Sequence, residues 1–187
     1  MTGLSNLNQI FRIEGYLSLK DTAAEKAPDH LPPHIEAVFN EGSVCMAVGC
    51  INAAGTMHRL CLDLATRELL PSENVDGLNS KIRFSLGLRL PWLFEAEKLP
   101  LGLKELSSCV KEDGNDGAHE GTLTEPDAQD LQDFTIALLE RTYTEPERIE
   151  AAKRRREARK ISWLTQRLHS FSSTRSHVVF SHRSAIS

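Results

Sequence analysis

Between Ser43 and about Leu70 the polar positions fall at Asn52, Thr56, Arg59, Asp63 and Thr66/Arg67, and nearly everything else is apolar or small. That spacing is close to the ~3.6-residue turn of an α-helix, so it draws one polar stripe on a helix that is apolar over most of its circumference. Such a helix is a central one, wrapped by others. Before it, Pro33 is placed for the first turn of a helix through Ile35, Ala37, Val38 and Phe39, which Gly42 is expected to close, with Ser43 capping the next. After it, Leu78, Ile82, Leu86 and Leu90 recur every four residues and predict a second stripe ended by Pro91. Trp92, Leu93 and Phe94 then fill the core beside the break, and Leu103, Leu106 and Val110 share a further face.

Two start signals follow. Thr124-Glu125-Pro126-Asp127 and Thr144-Glu145-Pro146-Glu147 each set a capping Thr three residues before an acid, with Pro in the first turn. The first predicts a helix from Glu125 to Thr142 that buries Ala128, Leu131, Phe134/Thr135 and Leu138; the second predicts another from Glu145. The expected fold is all-α, a compact bundle of about five to six helices. Residues 1–33 form an irregular segment in which Ile10–Leu17 can hold a short strand, 34–160 the helical domain, and 161–187 a disordered basic tail rich in Ser, His and Arg.

Composition fits a globular chain: 187 residues, 40% hydrophobic and 26% charged. No apolar run reaches the ~18 residues of a membrane span, and the start lacks the pattern of a signal peptide, so a cytoplasmic protein with no membrane contact is expected. Cys45, Cys50, Cys61 and Cys109 form no CxxC pair, and His30 and His34 are separated by two prolines. Free buried thiols, no metal and no cofactor are the expectation. Charge changes the picture more. Residues 1–146 carry 12 basic and 23 acidic side chains, and residues 147–187 carry 10 and 3. An acidic body with a basic tail admits RNA or DNA, an acidic partner, or the tail folding back on its own body. The nucleic-acid contact would fall on Lys153, Arg154, Arg155, Arg156, Arg159 and Lys160, within the basic 148–160 helix, although no aromatic residue interleaves them.

One stretch carries the remaining chemistry: Lys111–His119, with Gly114 and Gly117 flanking Asn115 and Asp116, and His119 at its end. The glycines predict a turn. The polar pair either serves a site or satisfies local backbone. Arg59 and Asp63 are spaced for an i,i+4 pair on the central helix. That polar stripe is read as solvent-facing in preference to a seam at a site or subunit contact.

Pro32-Pro33-His34-Ile35, Phe39-Asn40-Glu41, and Ala53-Ala54 with Arg59-Leu60-Cys61-Leu62-Asp63 resemble the opening of the family called domain of unknown function 4145. Leu78 with Lys81-Ile82 resembles its second helix, Gly114–His119 its Gly-Asn-x-x-Ala-His turn, and Thr124 to Tyr143 its closing helix. The resemblance spans roughly His34 to Arg156 and implies a HEPN-like helical bundle. That superfamily includes ribonucleases, nucleotide-associated bundles and modules of toxin or defence systems, and this family also occurs in restriction-endonuclease subunits. In the ribonucleases an Arg, usually followed by Asn, Asp or His, precedes a His by four to six residues, in a groove between paired subunits. The His takes the 2′-hydroxyl proton and the Arg steadies phosphate charge. By that resemblance His119 is the general base, Asn115 its orienting neighbour, and Arg59 or Lys111 the substitute cation. Gly114 stands where the Arg belongs, and Glu112, Asp113, Asp116 and Glu120 repel phosphate. No phosphate-cradling glycine loop, HExxH or nucleophile elbow is present. The expected function is therefore a non-catalytic helical interaction module of a defence, restriction or toxin–antitoxin type system, as a homodimer or with a partner protein. The alternatives are a metal-independent HEPN-like ribonuclease and nucleic-acid binding through the basic helix.

Overall fold

Pro33 opens the first helix described in the computed structural model, which covers residues 23–73, 75, 77–112 and 123–181. Helix α1 is Pro33–Ala47, with Pro at its first position, where the missing N–H costs nothing, and Glu36 in its first turn. It does not stop at Gly42. A β-carbon there would lie 3.0 Å from His58 Cε1 and 3.1 Å from Met57 Cβ, so this glycine admits the neighbouring helix. The chain turns instead at Gly49, whose φ of +79° suits glycine and whose surroundings are open. The boundary expected at Gly42/Ser43 thus lies at Gly49, and the helix expected from Ser43 to about Leu70 is divided between the end of α1 and α2 (Ile51–Glu68).

Helix α3 (Ser80–Phe84) is a single turn capped by Asn79, whose Oδ1 accepts from the Ile82 N–H at 3.0 Å. The expected 78–90 stripe breaks at Ser85, in extended backbone, and α4 (Leu86–Glu95) runs through Pro91 rather than ending at it. The residue four before Pro91 is Gly87, which adds no side chain to the crowding around the proline ring, and burial of Leu93 and Phe94 holds the turn beyond. A 3-10 turn (Leu101–Leu103) and α5 (Ser108–Glu112) follow; Leu103 and Val110 are buried as expected, whereas Leu106 is exposed.

Helix α6 (Glu125–Leu139) starts as its signal predicts. Thr124 and Asp127 form a reciprocal capping box, with the Asp127 N–H donating to Thr124 Oγ1 and the Thr124 N–H to Asp127 Oδ2 at 2.8 Å. Ala128, Leu131, Phe134, Thr135 and Leu138 are buried. The second signal behaves differently. A π-helical turn, Glu140–Thr144, leads into α7 (Glu145–Ser181), so Thr144 lies inside the turn and is not a cap. Pro146 has no N–H for the carbonyl four residues back, and a widened turn just before it is one way to absorb that loss.

The described residues up to Tyr143 form one packed unit and those from Thr144 a second. In the first, α2 packs against α1, α4 and α6, which confirms its central place. Ile35, Phe39, Leu62, Leu90, Leu93, Leu131, Phe134 and Leu138 make a continuous core. The fold is all-α, with five helices of ten or more residues, two single turns of five, and no strand among the described residues; Ile10–Leu17 lies outside them. In the second unit α7 carries helical backbone as far as Ser181, and every side chain from 161 to 167 is exposed, as expected of a tail with no core of its own. No described helix is long and apolar enough to cross a membrane.

Candidate functional site

Helix α2 presents its polar stripe unevenly. Asn52, Thr56 and Arg67 are exposed, Arg59 and Asp63 half-buried, and Thr66 fully buried with its hydroxyl donating to the Leu62 carbonyl at 2.6 Å. The stripe is therefore a seam rather than a solvent face. Arg59 Nη1 donates to the Val110 carbonyl at 3.2 Å, and Asn52 Oδ1 accepts from the Leu123 N–H at 3.1 Å. Val110 and Leu123 flank the stretch that holds Asn115 and His119, which lie outside the described residues. Both flanks are tied to one stripe, at side chains two helical turns apart, or roughly 10 Å along the axis.

The expected Arg59–Asp63 ion pair does not form. Asp63 binds Arg67 at 2.7 Å through one oxygen and Arg89 of α4 through the other. Arg89 is fully buried, and its Nη1 also approaches the Asp63 carbonyl at 3.4 Å, so the carboxylate is held by a charge that has no water to turn to. Burial lowers the pKa of Arg89 from its usual value while Asp63 opposes the shift; the same two influences act on Arg59. Arg59 and Asp63 line a cleft of about 470 Å³ with Thr56, Leu60, Phe84, Ser85 and Leu86. Two of its exposed lining residues are apolar, Phe84 at 75% and Leu60 at 40%, and two are polar, Thr56 and Ser85.

Two groups that the polar stripe does not reveal dominate the interior. His58 is fully buried against Phe39, ring centroids 5.5 Å apart, and neither ring nitrogen has a hydrogen-bond partner. Desolvation pushes its pKa down to about 4, so the ring is neutral near pH 7. Arg89 is the second. Both were legible in register: His58 falls with Ala54, Leu62 and Ala65 on the apolar face of α2, and Arg89 falls beside Leu86, Leu90 and Leu93.

The thiols divide. Cys61 and Cys109 are buried thiols outside any disulfide, as expected, and burial pushes Cys61 up to about 12. Cys45 is only half-buried and Cys50, at the turn between α1 and α2, is exposed, which corrects the expectation for those two. Among the described residues no cluster of three or more His, Cys, Asp or Glu could hold a metal. His34 meets Glu68 at 3.2 Å, and Glu68 also accepts from the Tyr143 hydroxyl at 2.6 Å, so His34 pairs with a carboxylate and not with His30. On α7, Lys153 and Arg154 pair with Glu150 and Glu147, whereas Arg155, Arg156, Arg159 and Lys160 are exposed and make no ion pair among the described residues.

No curated protein and no solved structure matches the chain. Residues 40–172, most of its length, match the family described as a domain of unknown function, DUF4145, and the chain belongs to that family.

Proposed function

We propose that this domain is a non-catalytic helical interaction module, HEPN-like in architecture, serving a defence, restriction or toxin–antitoxin type system in the cytoplasm and engaging a second copy or a partner protein. The observation that carries this reading is the commitment of Arg59. Its guanidinium is half-buried, donates to the Val110 carbonyl, and shares its cleft wall with the Asp63 carboxylate one turn away. A phosphate-binding cation needs open donors and a positive surround. The two cations that bind Asp63 are also committed: Arg89 is buried and paired with one carboxylate oxygen, and Arg67 pairs with the other. What the cleft offers instead is a pair of exposed apolar side chains, Phe84 and Leu60, of the kind that protein contacts use.

One observation favours the ribonuclease as a second reading: both flanks of the stretch bearing Asn115 and His119 are tied to the α2 stripe that carries Arg59. An RNA-cleavage assay in EDTA separates the two. The module predicts no cutting above background by the wild-type chain. Metal-independent cutting that His119→Ala abolishes would overturn the module reading and establish the other.

A further inference from the structure

One turn beyond the basic cluster of α7 stands an indole ring. Trp163 is 55% exposed, and with Leu164, Arg156, Arg159 and Lys160 it lines a shallow cleft of about 540 Å³. The Arg167 guanidinium lies over the indole, its Cζ 4.8 Å from the ring centroid. Arg156, Arg159, Lys160, Trp163 and Arg167 stand at i, i+3, i+4, i+7 and i+11, which sets them along one helix face. The aromatic missing from 153–160 is thus supplied one turn further on. Arg156, Arg159 and Lys160 make no ion pair among the described residues, with Glu157 of the same helix or with Glu147 and Glu150, which Arg154 and Lys153 engage.

We propose that this face of α7 is a binding site for single-stranded nucleic acid, with Trp163 as the stacking platform and Arg156, Arg159 and Lys160 as phosphate contacts. The pattern itself selects the ligand. A helix lying in a bilayer surface segregates its apolar residues from its cations, whereas here the cations flank the ring, and Ile161 projects from a different side. A helix seated in a protein groove presents apolar anchors at i, i+3, i+4 and i+7, and here those positions leading to Trp163 hold charges. Exposed cations around a flat ring complement a polyanion whose own rings are free to stack, which a duplex does not offer. This site is independent of whether the domain cuts RNA.

Fluorescence anisotropy on the full-length chain tests it, using labelled twelve-nucleotide dT and rU oligomers, the matching duplex, and phosphatidylserine vesicles in separate arms. The oligomers are expected to bind at low salt. Trp163→Ala should weaken binding about tenfold or more, and Trp163→Phe should retain most of it. Replacing Arg156, Arg159 and Lys160 by Gln should lower the log–log salt slope by about 2, at ~0.7 per phosphate contact on a single strand. These side chains are exposed, so unchanged circular dichroism will show that each variant is folded. Absence of oligomer binding at low salt overturns the proposal. So does equal affinity in Trp163→Ala, tighter binding of the duplex, or binding of the vesicles alone.

Discussion

Asp63 and Glu150 are both helical carboxylates that meet a cation on their own helix, Asp63 with Arg67 and Glu150 with Lys153. Their surroundings make them different objects. Asp63 is 17% exposed and also holds Arg89, which water does not reach. Glu150 and Lys153 are 51% and 61% exposed, and each has solvent as a substitute partner. An ion pair in the first setting is obligatory once its arginine is buried; in the second it is optional. The packed unit therefore stakes its fold on a few polar contacts, while α7 leaves its charges available to bind something else.

Asp63→Ala is the largest test of that contrast. It takes the carboxylate away from the fully buried Arg89 guanidinium and should cost about 3–5 kcal/mol in urea denaturation. Pairing Asp63→Leu with Arg89→Met should restore most of the loss, because the stranded charge goes with its partner. A single substitution that costs under ~1 kcal/mol would place Arg89 in contact with solvent and break the comparison.

Proton binding gives the next largest effect. His58 has a folded pKa of about 4 against an unfolded value near ~6.5, so the unfolded chain takes up the proton first. The contribution is fully present above about pH 6.5 and is lost as pH falls toward about 4. The gap is worth about 3 kcal/mol at ~1.4 kcal/mol per unit. Phe39 and Gly42 are found against the His58 ring, and neither is charged. Wild type and His58→Leu, unfolded in urea across pH 4–7, should differ by that slope. Parallel curves would show that the ring is hydrated in the folded state.

The sequence made local features plain and left the long-range ones out of sight. Thr124 and Asp127 cap each other across three residues, so their geometry is written in four letters of sequence. The buried faces of α2 and α6 follow from spacing alone. Which partner a polar group takes is another matter: Asp63 had Arg59 and Arg67 within one turn and Arg89 twenty-six residues away, and only packing chose between them. Glycine was ambiguous in the same way. Gly42 admits a neighbouring helix and Gly49 makes the turn, and the letter is identical. Pro91 misled because α4 runs through it, and Thr144 because a π-turn stands where its cap was expected, whereas Pro146 does lie in the first turn of α7; both departures are context effects. Of the candidate site, the stripe and the basic cluster were legible; the role of Trp163 was not, since it stands outside the cluster until the helix is wound.

The smallest effect closes the comparison from the α7 side. The Lys153 ammonium, through its hydrogen bond and its charge, holds the Glu150 carboxyl below its ordinary pKa, so the pair does form. Yet both groups are solvated, and fixing two long side chains costs entropy that offsets the attraction. Glu150→Gln should therefore leave the melting temperature and the helical circular dichroism unchanged within error. It should instead tighten oligomer binding slightly, because Lys153 is released onto a face one turn from Arg156. A melting temperature lowered by several degrees would mean that α7 depends on this pair for its structure, and that its charges are not spare.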